Sequence, residues 1–416
     1  MNDESMTTAV TNARLRGREG LWTIAVTADG VIASVSAAES VVPARAGSAS
    51  PAVIDADGGL VLPTFIDSHL HLDLAYSLDL VAPNTSGTLV EAIRHWSEAK
   101  RELTVENVRQ RALRAIDDEV AFGVGHIRTH VDVGTAAEMR LCEGVLAARE
   151  ATRERIDIQI VVFPQDGIVQ DPGALEQMRE AMRLGCDVIG GIAHNERTEA
   201  DSRQHIDLLF DLAEEFDADI DCHIDETDDP RSRCTEVLAA KTVERGWQGR
   251  VTASHVCALA SYDDAHAAKV ISLLADGQVH VITNPGANLH LQGRGDRYPK
   301  RRGLTRVSEL IDAGINVSAG QDCIRDPFYP LGTGNMLEVG HLLIHADHLS
   351  TPTGIERVAD CITDNPAKAL RLDDYGLAVG KRADLVILDA TDMTEAFRTR
   401  QAPSCVLRGG RRVMEC

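Results

Sequence analysis

Eight short runs of β-branched and other apolar residues alternate along this chain with longer segments patterned like helices, such as VENVRQRALRAIDDEVAFG and RQHIDLLFDLAEEFDAD. Alternation of this kind predicts parallel strands joined by crossover helices. Most of the runs begin apolar and end in polar residues with catalytic potential. In chain order they are LVLPTFIDSHLHLD, GHIRTHVDVG, IDIQIVVFPQDG, CDVIGGIAHNE, DADIDCHIDETDD, GRVTASHVCAL, VHVITNPGANLH and INVSAGQDC.

The polar endings favour a closed barrel over an open, doubly wound sheet. Barrel enzymes build their sites from the C-terminal ends of their strands, where the loops converge on one mouth. An open sheet is not expected to place polar groups at the end of every strand. The sequence therefore predicts an α/β fold, a (β/α)8 TIM barrel, over residues 61–373.

The two segments that flank the barrel are predicted to form a second, smaller domain. Residues 1–60 contain LWTIAVTADGVIASVSA, and residues 374–416 contain RADLVILDA and SCVLRGGRRVMEC. Each reads as short strands separated by turn residues, and neither is long enough to bury a core alone. We expect the two segments to pair into a small β-sandwich beside the barrel.

Charge and hydropathy exclude several kinds of partner. The formal net charge of −22 disfavours phosphate backbones and anionic lipid surfaces, so we expect neither a nucleic acid nor a membrane as a partner. No run of eighteen apolar residues predicts a membrane span, and the N-terminal sequence does not have the pattern of a secretory signal. Nine scattered cysteines without a CxxC spacing argue against a disulfide framework, so the expected location is cytoplasmic.

Four residues at strand ends form a candidate metal site. His69 and His71 lie two positions apart on a strand, so their imidazoles point to the same face. The pair alone is a weak signal, because two packed or solvated histidines give the same pattern. His223 ends the fifth predicted strand and Asp322 the eighth, and imidazole nitrogens with one carboxylate oxygen suit Zn²⁺ or Fe²⁺.

Two further residues are candidates for proton transfer. A divalent metal lowers the pKa of water toward neutrality, and hydrolysis then needs a group that carries protons. Glu226 follows His223 by three residues, at the transition from strand to loop, where it can reach a substrate. His255 ends the next strand and can orient the water or stabilise developing charge.

Several motifs together resemble the amidohydrolase superfamily and, within it, bacterial cytosine deaminases and N-isopropylammelide amidohydrolases. They are HLHLD, RTHVD, FPQDG, CHIDETDD, ASHVCALASY, NPGANLHLQGRGDRYPKRRGLTRV, GQDCIRDPFYPLGTGNMLEVGH and NPAKALRL followed by GKRADLVILDA. The resemblance extends from about residue 58 to 410. It implies a TIM barrel hydrolase that assembles as a homo-oligomer and acts on a small heterocycle.

The resemblance also implies roles for individual residues. His69, His71, His223 and Asp322 would bind one divalent metal, Zn²⁺ or Fe²⁺. Glu226 would move protons between water and a ring nitrogen, and His255 would assist it. Gln165 would read a lactam edge, since an amide both donates and accepts hydrogen bonds. Relatives with two metals carry a bridging lysine on a middle strand. The strands that end at Gln165 and near His194 have none, which favours a single ion.

Two positions depart from the cytosine deaminase pattern. Those enzymes have a second aspartate directly after the metal-binding one, where this chain has Cys323, and a tryptophan where this chain has Phe328. The missing carboxylate argues against cytosine itself as the substrate. We expect both residues to contact the substrate.

The leading functional hypothesis is a metal-dependent hydrolytic deaminase of a cyclic amidine, such as a cytosine-like aminopyrimidine, a triazine or a pterin, that releases ammonia. A second hypothesis keeps the site but releases an alkylamine from an N-alkylated triazine, or opens a cyclic amide. A third, a barrel that binds without turnover, is disfavoured because all four ligands and Glu226 are present. Among other polar strand ends, His130 and Asp132 are interpreted as support beneath the metal, and His194 and Glu196 as a polar rim.

Overall fold

A computed structural model describes residues 6–38 and 52–413 of the chain. The predicted small domain also includes residues 1–5, 39–51 and 414–416, which lie outside the described residues. In chain order the strands are β1 (Met6–Leu15), β2 (Trp22–Thr27), β3 (Ile32–Ala37), β4 (Ala52–Asp55), β5 (Leu60–Pro63), β6 (Phe65–Leu70), β7 (Val124–Asp132), β8 (Asp157–Phe163), β9 (Val188–Ile192), β10 (Asp219–Ile224), β11 (Val251–His255), β12 (His280–Thr283), β13 (Val317–Ala319), β14 (Leu385–Leu388), β15 (Cys405–Arg408) and β16 (Arg411–Arg412).

Helices follow most of the barrel strands. In chain order they are α1 (Leu89–Ala99), α2 (Val105–Ala121), α3 (Arg140–Thr152), α4 (Ala174–Arg183), α5 (Glu199–Phe216), α6 (Cys234–Arg245), α7 (Asp264–Asp276), α8 (Pro285–Leu291), α9 (Val307–Asp312), α10 (Met336–Ala346), α11 (Pro352–Cys361), α12 (Asp364–Ala369) and α13 (Met393–Thr399). Several begin at a threonine whose hydroxyl accepts a backbone N–H of the first turn. Thr104 of α2 and Thr198 of α5 are examples.

The parallel strands β6 to β13 lie side by side in chain order and form the barrel. All nine residues of β7 are buried, as expected for a strand with side chains both in the barrel interior and under the surrounding helices. Between the first and last strands, the N–H of Asp322 donates to the carbonyl of His69 at 2.7 Å. The N–H of His71 in turn donates to the carbonyl of Asp322 at 3.0 Å. The predicted barrel of eight strands is confirmed.

The remaining strands form a separate sheet with the order β16-β15-β14-β5-β1-β2-β3, and β4 pairs with β1. Side chains from both chain ends pack together there, for example Ile24 and Val61 with Leu385 and Leu407. The first predicted run contains two strands, since β5 pairs with β14 in this sheet and β6 starts the barrel. The division at residues 60 and 374 stays a prediction.

Candidate active site

The predicted metal ligands meet at the C-terminal mouth of the barrel. His69 lies in β6 and His71 directly after it, His223 lies in β10, and Asp322 follows β13. The Nε2 atoms of His71 and His223 are 3.1 Å apart. Each of the Nε2 atoms of His69 and His71 lies 3.5 Å from Oδ1 of Asp322. The structure thus brings together all four predicted ligands.

These distances fit a shared cation. Two nitrogens bound to one Zn²⁺ at about 2.0–2.1 Å and at a tetrahedral angle lie about 3.3 Å apart. Buried Nε2 of His69 has no hydrogen-bond partner among the described residues. The site therefore holds converging donor atoms that a divalent metal would satisfy. His255 adds a further donor, because its ring, those of His69 and His223 and the Asp322 carboxylate place ligand atoms within 4.8 Å of one another.

A chain of hydrogen bonds below the site fixes the tautomer of His69. The Ser254 hydroxyl donates to Oδ1 of Asp221 at 2.7 Å and lies 3.1 Å from Nδ1 of His69. Its hydrogen is used by Asp221, so its oxygen accepts the Nδ1–H of His69. The lone pair of His69 is then on Nε2, which faces the other ligands. Arg128 balances the charge of Asp221 at 3.1 Å.

Burial disfavours the charged form of three imidazoles at the site. It lowers the pKa of His71 to about 4 and holds the pKa values of His223 and His255 well below their usual range. Burial would raise the pKa of Asp322, but the imidazoles of His255 and His69 hold it below its usual range. Neutral imidazoles and an ionised carboxylate are the protonation states that bind a metal.

The backbone at two of these residues is strained. Asp322 has φ of 69° and His255 has φ of 72°, both in the left-handed region that glycine usually occupies. Residues with side chains stay there only when the surrounding structure holds them, and such positions concentrate at functional sites. For Asp322 the holding contacts are its two backbone hydrogen bonds to the first barrel strand.

Glu226 lies two residues beyond the end of β10, beside the cluster of donors. Its Oε1 is 3.6 Å from Nδ1 of His255. Burial, with the nearby charge of Asp322, raises the pKa of Glu226 well above its usual range. A carboxyl group with a raised pKa can hold a proton and release it, as general acid–base catalysis requires. The His255 ring is itself held by the amide of Asn288, 3.0 Å away.

A buried pocket adjoins the donors and collects the predicted substrate contacts. Gln165 follows β8 by two residues, and Cys323 and Phe328 lie in the loop after β13; all three are buried. Burial raises the pKa of the Cys323 thiol well above its usual range, so the group is neutral. The pocket is lined by His71, Leu74, Leu89, Gln165, Ile192, His223, Glu226, His255, Leu291, Asp322, Cys323 and Phe328.

Several residues near the site were not identified from sequence. The Phe163 ring stacks on His223 with centroids 4.1 Å apart, and Leu89 of α1 reaches the pocket from a helix far away in sequence. The position of Phe163 at the end of β8, two residues before Gln165, was an available signal for the first. His130 lies beneath the ligands, 4.1 Å from the His69 ring, and Asp132 pairs with Lys100.

Comparisons with known proteins show which enzymes the chain resembles. The model of the amidohydrolase family matches residues 52–414. The 5-methylcytosine deaminase of Klebsiella pneumoniae, solved with 5-fluorocytosine, is 43% identical with a TM-score of 0.92, over 98% of this chain and 97% of that one. The N-isopropylammelide isopropylaminohydrolase of Burkholderia multivorans is 28% identical with a TM-score of 0.85, over 98% of each chain.

A curated relative extends the range of heterocycles. The pterin deaminase of Rhizobium rhizogenes is 33% identical over 393 residues, which cover 93% of this chain and 86% of the relative. The expected resemblance is confirmed, and with it a divalent metal and the hydrolysis of carbon–nitrogen bonds in heterocycles. In the described part of the chain no helix is long and apolar enough to cross a membrane. The protein belongs to the amidohydrolase family.

Proposed function

We propose that the protein hydrolytically deaminates a cytosine-type pyrimidine with a substituent on C5, and that 5-methylcytosine is the first compound to test. The observation that carries this proposal is the juxtaposition of Glu226 and Gln165 with the His and Asp donors in one pocket. The 43% identity to a 5-methylcytosine deaminase supports it. Water adds to the ring carbon that bears the amino group, the bond from that carbon to the amine breaks, and a lactam and ammonia result.

The ligand set in this proposal is His69, His71, His223 and Asp322. Zn²⁺ and Fe²⁺ both suit three imidazoles and one carboxylate. When bound, such an ion supplies the hydrolytic nucleophile by lowering the pKa of water. His255 lies 3.6 Å from Glu226 and holds the proton-transfer side of the pocket in place.

Glu226 carries the protons in this reaction. Its carboxylate accepts a proton from the attacking water and delivers it to the ring nitrogen next to the reacting carbon. A second transfer protonates the amine as it leaves. Gln165 accepts from and donates to the lactam edge of the ring, on the pocket wall contributed by the loop after β8.

Cys323 is the residue that distinguishes substituted from unsubstituted cytosine in this proposal. It is 3% exposed and neutral, and it lies beside Asp322 in the pocket wall. A small, weakly polar side chain packs against a methyl group, whereas a carboxylate at this position would have to be hydrated or hydrogen-bonded. Phe328 adds a second apolar contact.

A second candidate is the release of an alkylamine from an N-alkylated triazine. The 28% sequence identity to an N-isopropylammelide isopropylaminohydrolase, over 98% of both chains, favours it. The leaving group differs, but the same proton transfers by Glu226 serve both reactions.

The test is a product assay on 5-methylcytosine, cytosine, pterin and N-isopropylammelide, each with Zn²⁺ and with Fe²⁺. We expect ammonia from 5-methylcytosine with the highest kcat/KM, and a 10²- to 10⁴-fold lower kcat in Glu226→Gln with metal content unchanged. Isopropylamine release without ammonia from either pyrimidine would overturn the first candidate. Wild-type turnover by Glu226→Gln would overturn the mechanism. Cytoplasmic location and a homo-oligomeric assembly stay predictions.

A further inference from the structure

The turn after β8 presents Gln165 to the pocket and is held from two sides. Its backbone accepts a hydrogen bond at the Gln165 carbonyl from the Asn195 amide, at 3.1 Å. The side-chain amide of Gln165 lines the pocket, and the described residues give it no hydrogen-bond partner. The orientation of this amide therefore depends on the backbone of its turn.

On one side, Lys100 anchors Asp166, the neighbour of Gln165. The Lys100 side chain is 0% exposed, and its Nζ lies 2.6 Å from Oδ2 of Asp166 and 2.7 Å from Oδ2 of Asp132. Burial would lower the pKa of Lys100, but the two carboxylates raise it, so the group is charged. A buried ammonium is tolerated only with such partners, which makes the geometry restrictive. Ser97 also donates to Asp166 at 2.9 Å.

The same contacts fix α1 over the pocket. Lys100 directly follows α1, and Trp96 near the end of that helix donates to Asp132 at 3.2 Å. The first residue of α1, Leu89, lines the pocket. One ion-pair cluster around the buried Lys100 ammonium therefore joins α1, the end of β7 and the turn after β8.

On the other side, Glu196 binds the backbone of the same turn. Its carboxylate accepts the N–H groups of Ile168, Val169 and Gln170 at 2.7, 2.9 and 3.1 Å. His205 lies 2.8 Å from it through Nδ1, and Nε2 of the same ring accepts the N–H of Ile192. Because Nε2 accepts this hydrogen bond, the ring hydrogen is on Nδ1, and His205 donates to Glu196. Four hydrogen bonds make this carboxylate a fixed point for residues 168–170.

We propose that Lys100, through Asp166, and Glu196, through three backbone amides, are positioning residues that aim the Gln165 amide at the substrate ring. The inference rests on the proposed substrate contact of Gln165. Neither residue touches the substrate, and both act by limiting the movement of the turn. Displacements of about 1 Å at a positioning group are enough to weaken binding or rate strongly.

A double-mutant cycle with Asp166→Asn and Gln165→Ala tests the first anchor. Asp166→Asn removes the charge next to Gln165 but leaves Lys100 paired with Asp132. We expect KM for 5-methylcytosine to rise about tenfold with kcat within about threefold, which is the pattern of lost ground-state binding. In the Gln165→Ala background, Asp166→Asn should change KM by less than about twofold, because its effect depends on the Gln165 amide, which this background lacks.

The matched control is Asp187→Asn. Like Asp166, Asp187 pairs with a basic side chain, here Arg149, and it accepts the N–H of Ile160 in β8, but it lies outside the pocket. We expect it to change stability without changing KM. Glu196→Gln tests the second anchor and should raise KM in the same way, again without effect when combined with Gln165→Ala.

The outcomes separate this inference from the proposed function. If Gln165→Ala leaves KM unchanged, the substrate contact itself is wrong and the positioning role falls with it. If Gln165→Ala raises KM but Asp166→Asn and Glu196→Gln do not, the function stands and the positioning role is overturned. Effects of Asp166→Asn that add in full to those of Gln165→Ala, or that Asp187→Asn reproduces, overturn it as well.

Discussion

Gly320 packs closely against His69 at the candidate metal site, and one added methyl group tests this contact. Gly320 follows β13 and donates its N–H to the carbonyl of Thr283 at 3.0 Å. A Cβ at this position would lie 2.7 Å from Cβ of His69, 2.9 Å from its carbonyl oxygen and 2.7 Å from Oδ1 of Asn284. Carbon atoms pack best at about 3.5–4.0 Å, so Gly320→Ala forces a separation of nearly 1 Å.

The expected size of the effect follows from that displacement. Overpacking of a buried site costs typically about 1–3 kcal/mol. If His69 is displaced to relieve the contact, metal binding becomes weaker by this free energy. Since about 1.4 kcal/mol corresponds to a tenfold change in affinity, the expected loss of metal affinity is roughly 5- to 150-fold. We therefore expect Gly320→Ala to purify with less metal, to need added metal for activity and to have a lower Tm.

The assay is metal content by mass spectrometry after dialysis against a weak chelator, with Tm and kcat measured on the same samples. Gly295→Ala is the control, because a Cβ there meets nothing within 4 Å. It should behave as the wild type. Normal metal content and Tm in Gly320→Ala would refute the view that the last strand holds His69 rigidly against its partners.

Three further predictions concern specificity, metal and pH. Cys323→Asp should lower kcat/KM for 5-methylcytosine at least tenfold relative to cytosine, because the carboxylate replaces a small neutral thiol next to Asp322; an unchanged ratio in competition assays would remove Cys323 from the specificity argument. Removal of metal with a strong chelator should abolish activity and lower Tm, since a ligand at 100 times its Kd stabilises the folded state by about 2.7 kcal/mol, and Zn²⁺ or Fe²⁺ should restore both. Burial raises the pKa of Asp326 from 3.8 to about 7. The folded state favours the neutral Asp326 carboxyl, so the stabilisation from this group is present below about pH 4 and is lost as pH rises to about 7. Asp326→Asn should remove up to about 4 kcal/mol of that pH dependence in denaturant titrations from pH 4 to 8, and parallel wild-type and variant curves would contradict the assignment.

The barrel and its mouth could be predicted because both depend on local patterns. Each strand run is short, apolar and bounded by polar residues, and the C-terminal ends of parallel strands meet at one edge. This is why His69, His223 and Asp322 could be grouped before any contact was known. The supports of the site were not predictable in this way. Lys100 directly follows α1, and no sequence motif marks it. It contacts Asp132 and Asp166 only because α1 packs over the ends of two strands.

Glu196 makes contacts that the sequence did not predict. Beside His194 it reads as part of a polar rim, and a carboxylate after a strand gives no sign of what it binds. In the structure it accepts three successive backbone N–H groups from another loop. Such contacts depend on the backbone conformation of the partner loop rather than on its side chains, so no residue pattern predicts them.

Asp322 joins the closure of the barrel to the binding of metal. Its backbone makes the hydrogen bonds to His69 and His71 that connect the last strand to the first, and its side chain lies 3.5 Å from Nε2 of both histidines. An ion bound by these three side chains would connect the first and last barrel strands, which the backbone hydrogen bonds also connect. Such an ion would add to the backbone hydrogen bonds that hold Asp322 at its left-handed φ. It follows that metal removal should increase amide hydrogen exchange first at residues 69–71 and 320–323, before it affects β8 and β9, which carry none of the proposed ligands. Uniform exchange changes around the barrel would show that metal and closure are independent.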